Sequence, residues 1–213
     1  GKGEGYGNIG QWKVINEYTD ILTGYQAGLY QRNIDGVNFY IFATAGTDDI
    51  FDGLADAKTG LGLVDDQVVR SVKDAVRIQK YVNGLEHGSS LTFVGHSLGG
   101  GLASANARAT GSPAITFNAM GLNRVLRDGF TKEAKIDAYV IRGEILDTYQ
   151  RSVGLKAEGN IHYMEAKEKT MTKAEYISQS KDILEISFLN MNYANYFIGA
   201  SAAKHSMSNF LKD

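Results

Sequence analysis

Ser97 stands inside Gly95-His96-Ser97-Leu98-Gly99, directly after the apolar run Leu91–Val94. A serine hydroxyl is a weak nucleophile until a base takes its proton, and it must be presented where a substrate carbonyl can reach it. The glycines bear on the second condition. At a sharp strand-to-helix turn the serine backbone is strained by ~1–3 kcal/mol. Such a turn closes only if the residues two before and two after carry no Cβ, because strand and helix backbones approach closely there. Gly95 and Gly99 meet that need, and Gly100 and Gly101 extend it. A helix that follows directs its positive end at the serine, which suits a negatively charged intermediate. A plain structural turn would need neither an apolar strand before it nor an alanine- and glycine-rich helix after it, and this sequence offers both.

The elements around Ser97 follow from periodicity. Val37–Ala43, VNFYIFA, is β-branched and aromatic and predicts a buried strand. Asp65 or Asp66 is placed to cap a helix in which Val68, Val72, Ala75/Val76, Gln79 and Val82 recur every three or four residues, with Gly84 ending it. Leu91–Val94 reads as a strand and the segment from Leu98 to Ala109 as a small-residue helix. Ala114–Phe117, Ile136–Ile141 and Ile161–Met164 have the length and composition of further strands. Ahead of these, Trp12, Ile15, Tyr18/Thr19, Leu22, Tyr25/Gln26 and Leu29 fall at helical spacing and predict one or two helices over residues 9–31. Helix and strand in alternation argue for an α/β architecture with a largely parallel sheet covered on both faces.

The stretch FVGHSLGGGLA resembles the nucleophile elbow of the class 3 (fungal-type) lipase family of α/β-hydrolases. The likeness continues in FATAGTDDIFDGLAD (Phe42–Asp56), which is similar to that family's strand, F-R-G-T/S motif and lid segment. YVIRGEILD and KHSMSNF fall where the family places its acid and its histidine. The resemblance runs in order from Val37 to Phe210, and bacterial lipase-like effectors and phospholipases A1 are the nearest style of match. It departs from the pattern at Ala45, where the family has arginine, and at Gly53, where it usually has a lid tryptophan. The implied fold is an α/β-hydrolase with a mostly parallel central sheet flanked by helices, in a single domain over residues 1–213. The implied activity is hydrolysis of carboxylic esters of lipids through an acyl-enzyme, with no cofactor.

Ser97 then needs partners. Of the four histidines, His96 is turned away by its own bend, His87 lies in a polar turn before the strand, and His162 sits in an apolar run. His205 follows the small-residue loop GASAAKHS near the C-terminus, which suits the Ser–acid–His order of the fold. The acid that fixes the histidine tautomer belongs just beyond a strand. KIDAYVIRGEILDTYQ offers Glu144, which the family pattern favours, and Asp147, which a longer strand would favour; Asp137 lies inside the strand run. The oxyanion hole requires two backbone N–H groups. Leu98, the residue after the nucleophile, supplies one, and the likeness points to Thr47 for the other.

Residues 48–64, DDIFDGLADAKTGLGLV, combine apolar side chains with glycines and are expected either to cover an apolar groove as a lid or to pack as a short amphipathic segment. Residues 183–198, ILEISFLNMNYANYFI, are expected to line an acyl groove or the ordinary core. Asp48, Asp49, Asp52 and Asp56 lack the spacing of a calcium loop, so no metal is expected. A net charge of −2 gives no electrostatic case for nucleic acid. The absence of cysteine removes disulfides, thiolate zinc sites and cysteine nucleophiles together. No apolar run approaches the ~20 residues of a membrane span, and the polar opening GKGEGYGNIG is not expected to act as a signal peptide. The expectation is a domain of a longer bacterial protein, secreted or delivered, that touches membrane surfaces transiently, acts on lipid or phospholipid esters and has a cognate immunity protein. A soluble esterase or thioesterase, or an inert hydrolase scaffold that only binds, are the alternatives.

Overall fold

The computed structural model describes residues 8–46, 61–85, 88–166, 200 and 204. An eight-stranded sheet carries its strands in the order of the chain. Strands β1 (Asn8–Ile9), β2 (Trp12–Asp20), β3 (Tyr25–Ile34) and β4 (Val37–Thr44) form an antiparallel meander. From β4 onward every pairing is parallel, through β5 (Ser90–His96), β6 (Ala114–Phe117), β7 (Ile136–Ile141) and β8 (Asn160–Met164). Helices α1 (Leu61–Asn83), α2 (Leu98–Thr110), α3 (Arg124–Gly129) and α4 (Ile145–Ser152) make the crossovers.

The meander corrects the prediction of helices over residues 9–31. A register shift between Val14 and Asn16 inserts one extra residue into β2. Such a bulge changes which face later side chains occupy. Val14 is buried, and Ile15 and Tyr18, on either side of the shift, pack against the core cluster. Apolar spacing therefore drifts from two to three and imitates a helix. The other departure is small: α1 begins at Leu61, about one turn before the Asp65/Asp66 capping signal. Gly62 costs a helix only ~1 kcal/mol, too little to stop it.

The core lies between the sheet and the first two helices. Tyr40 and Phe42 of β4 and Leu91 and Phe93 of β5 are buried against Val68, Ala75, Ile78 and Val82 of α1 and Leu102 and Ala103 of α2. Phe42 meets Tyr18 and Phe93 edge-on, with ring centroids 5.3 and 6.2 Å apart. A buried polar pair, Ser71 Oγ with the Asn106 side-chain amide, ties α1 to α2. Gly111 in the left-handed region (φ 86°) ends α2, its N–H donating to Ala107 O at 2.7 Å. These are the elements that carry β5 and α2 up to Ser97.

Candidate active site

Ser97 has φ 57° and ψ −126°, a region that non-glycine residues rarely adopt. It persists because its surroundings over-determine it. The Ser97 N–H donates to Phe117 O at 3.1 Å, and its carbonyl accepts from Gly101 N at 3.2 Å and Met120 N at 2.9 Å. Both backbone groups are therefore spent on holding the bend. The hydroxyl is not: Ser97 occupies the N-cap position of α2 but makes no side-chain capping bond. At 2% exposure, the residue is presented from within the fold.

The glycines do what the sequence predicted. A Cβ on Gly95 would overlap the Gly99 carbonyl, and one on Gly99 would overlap the carbonyl of Thr44 and the backbone of Ala45. A Cβ on Gly100 would stand 2.6 Å from that of Ala119. Thr44, which sequence reasoning passed over, fastens the same crossing: its hydroxyl donates to Gly99 O at 2.6 Å, with Val94 O at 3.3 Å. Gly99→Ala should therefore push β4 from α2 and cost ~1–3 kcal/mol, the range for overpacking a tight contact. A lowered melting temperature together with lost turnover is the expected result; a parent-like melting temperature would show that the crossing is looser than described.

Gly46 brings the end of β4 against the nucleophile position. An added Cβ there would lie 2.7 Å from His96 O and 3.3 Å from Ser97 Cβ. Thr47, the next residue, lies outside the described residues. Leu98 opens α2 with its side chain buried, so the helix N-terminus faces the bend and carries partial positive charge.

On the far side of β6 stands Glu144, with 0% exposure. It follows β7 after the Arg142–Gly143 turn and is the N-cap of α4. Its carboxylate accepts from Leu146 N at 2.8 Å and from Asp147 N. A carboxylate offers about four lone-pair positions, so two backbone donors leave capacity for a histidine N–H. Asp147 is one turn of backbone further on, at 6% exposure, and its Oδ1 has no hydrogen-bond partner among the described residues. Burial pushes its carboxyl pKa up; Arg151 opposes that shift and the neighbouring Glu144 charge adds to it.

Asn118 lies between the strands of Ser97 and Glu144, and it too has a positive φ, 40°. Its N–H donates to Tyr139 O at 2.8 Å, and its side-chain oxygen accepts from Ile141 N at 2.9 Å. Its Nδ2 donates to the carbonyl of Lys204 at 3.2 Å. An added Cβ on Gly143 would be 3.5 Å from Lys204 Nζ. The residue before His205 thus sits at the C-terminal ends of β6 and β7; His205 itself lies outside the described residues. Gln150 steadies the adjoining loop, accepting from Gly121 N at 2.9 Å and donating to Ala119 O at 3.2 Å. Asn, which tolerates the left-handed region, directly after a strand was the one signal for Asn118 in the sequence.

The remaining candidates fall elsewhere. Asp137 is near the start of β7, the opposite end from Ser97, and accepts from or pairs with His162 Nε2 at 2.9 Å. That places His162 on an outermost strand in a local pair, stacked on Tyr139 at 4.9 Å. His96 ends β5 opposite Phe117. His87, the acidic run Asp48–Asp56, most of the expected lid and residues 183–198 lie outside the described residues. Among the described residues there is no group of three or more metal-ligating side chains.

Residues 10–185 match the phospholipase-like family described as the Tle-like phospholipase domain. The chain belongs to the Tle-like phospholipase domain family. A curated relative of this Tle-like domain is the extracellular phospholipase A1 of Serratia liquefaciens, 38% identical over 104 residues. That alignment covers 49% of the chain and 30% of the relative, so the chain spans about a third of that protein. Among solved structures, the lipase of Rhizopus microsporus var. chinensis superimposes with a TM-score of 0.54 at 16% identity, covering 76% of the chain and 63% of the lipase. Lipase II of Rhizopus niveus gives 0.53 at 14% identity over 83% and 79%. At that identity the likeness speaks for the fold alone: the Tle-like domain has the α/β-hydrolase fold of the fungal lipases.

Proposed function

We propose that this chain hydrolyses carboxylic esters of lipids, as a phospholipase A or lipase, through an acyl-enzyme on Ser97. Ser97 Oγ attacks the ester carbonyl as His205 takes its proton. The tetrahedral oxyanion is held by the N–H groups of Leu98 and Thr47, each such donor being worth ~2.7–4 kcal/mol. His205 returns the proton to the departing alcohol, and water, deprotonated in turn by His205, releases the fatty acid and frees Ser97. Glu144 orients the imidazole and balances its charge. No cofactor enters, and residues 1–213 act as one domain.

The observation that carries this reading is the left-handed Ser97 on a bend whose backbone bonds are all committed while its hydroxyl makes no capping bond. Family membership supports the substrate class, and the relative named as an extracellular phospholipase A1 supports secretion and a phospholipid ester. Lys204, held by Asn118 between the β6 and β7 ends, supports His205 as base. Among the described residues no helix is long and apolar enough to cross a membrane, so contact with lipid is proposed at the surface. The likeness to delivered bacterial effectors motivates a cognate immunity protein as partner. Incubation with a mixed panel of phospholipids and glycerides, followed by mass spectrometry, should yield free fatty acid and a lysolipid or partial glyceride. Products cleaved at the phosphate, or none, would overturn the assignment.

A further inference from the structure

We propose that the β2–β3 hairpin tip is the part of this domain that inserts into a phospholipid surface; this deepens the lipid-ester reading above and rests on it. Ile21 and Leu22 are 96% and 91% exposed, two consecutive large aliphatic side chains at the apex of a four-residue turn. Isolated exposed apolar residues are ordinary, but an adjacent pair held out at this extent has no use for water.

The turn is built to hold them there. Asp20 Oδ1 accepts from Leu22 N at 3.1 Å, and Thr23 Oγ1 accepts from Tyr25 N at 3.3 Å. Gln67 of α1 donates to Thr23 O, binding the turn to the body of the domain. Tyr25, directly after it, is buried in the core.

The position matters as much as the exposure. β3 runs antiparallel to β4 with Ala27 opposite Thr44, and Ala45 N donates to Gln26 O at 3.0 Å. β4 in turn pairs Thr44 with Gly95, two residues before Ser97. Residues 21–24 therefore project past the same end of the sheet at which Ser97 stands. With strands ~4.8 Å apart, β3 is about 10 Å to the side of β5. An apex that dips into the headgroup and acyl boundary would set the Ser97 bend at the lipid surface. The chemistry of the tip fits a neutral, apolar contact: Asp20 is the one charged side chain in residues 18–31, so no basic cluster draws it to anionic lipid.

The test uses two readouts. Partition onto vesicles of phosphatidylcholine is measured by co-sedimentation in a Ser97→Ala background, which leaves the lipid uncut, at low and at high salt. Turnover of a dispersed short-chain ester and of vesicle phospholipid is measured in the otherwise native chain. Replacing Ile21→Ser and Leu22→Ser together should lower partition at least tenfold at either salt concentration and lower vesicle turnover with it. Short-chain ester turnover should stay within about twofold, because these side chains touch no reacting atom. Ile21→Trp with Leu22→Trp should restore partition. Unchanged partition, a parallel loss on the short-chain ester, or a change in self-association without one in partition would each overturn the anchor. Failure of the native chain to cut either ester would instead overturn the hydrolase reading, and partition would then decide the anchor by itself.

Discussion

Ser97→Ala should lower ester turnover by about 10⁵–10⁶-fold, the scale on which a triad serine is lost. It should leave the melting temperature within ~2 °C of the parent, a shift worth at most about 1 kcal/mol in a domain of this size. The two halves of that expectation come from the same geometry. The bend is held by Ser97 N–H to Phe117 O and by Gly101 N and Met120 N to Ser97 O, all main-chain bonds that alanine keeps. The hydroxyl caps nothing, so its removal leaves no broken bond in α2. Alanine at φ 57° is strained as serine is. Turnover near that of the parent would remove Ser97 from the chemistry, and a large fall in melting temperature would show that the hydroxyl is structural after all.

Glu144→Gln should be the second largest loss, about 10⁴-fold in kcat if the acid sets the histidine tautomer. Gln offers a single acceptor oxygen where Glu144 uses both, one to Leu146 N and one to Asp147 N. The variant should therefore also lose ~1 kcal/mol of helix capping. Asp147→Asn makes the contrast. Burial raises the Asp147 carboxyl above its ordinary range, so the folded chain keeps that proton to higher pH than the unfolded chain does. Its contribution to stability is thus full below the ordinary carboxylate range and is lost as pH rises through the raised value. Asn cannot ionise, so this variant should be at least as stable as the parent at neutral pH and flatter in stability across that window. Its turnover should stay within about tenfold. Two mild effects on turnover would place the acid elsewhere, and a reversed order would make Asp147 the acid and Glu144 a cap.

The sequence was most legible where one physical constraint sets both residue type and spacing. Around Ser97 the close approach of β4, β5 and α2 tolerates only glycine at 95 and 99, and that demand is printed in the chain. Parallel strands buried on the core side read as β-branched runs, so β4 through β8 were found to within a few residues. The first strands of the meander, β1 to β3, were not, because the bulge after Val14 made a strand look helical. A stronger signal stood beside it: Asp35-Gly36, both with positive φ (51° and 84°), is the hairpin turn that joins β3 to β4. Asp-Gly between two apolar runs outweighs a drifting period. Thr44 and Asn118 escaped for another reason. Their roles depend on which backbone carbonyl and N–H groups three strands bring together, and nothing in local spacing encodes that. Between Glu144 and Asp147 only the family pattern favoured the first, because their hydrogen-bond partners depend on the turn after β7, which local spacing does not encode.

The most direct test of the central claim, that Ser97 is an activated nucleophile, is labelling of the native chain with a fluorophosphonate followed by peptide mass spectrometry. A single covalent adduct on Ser97, absent from Ser97→Ala and strongly slowed in His205→Ala, is the result expected. A chain that hydrolyses lipid ester yet carries no adduct, or carries it on another serine, would contradict the claim.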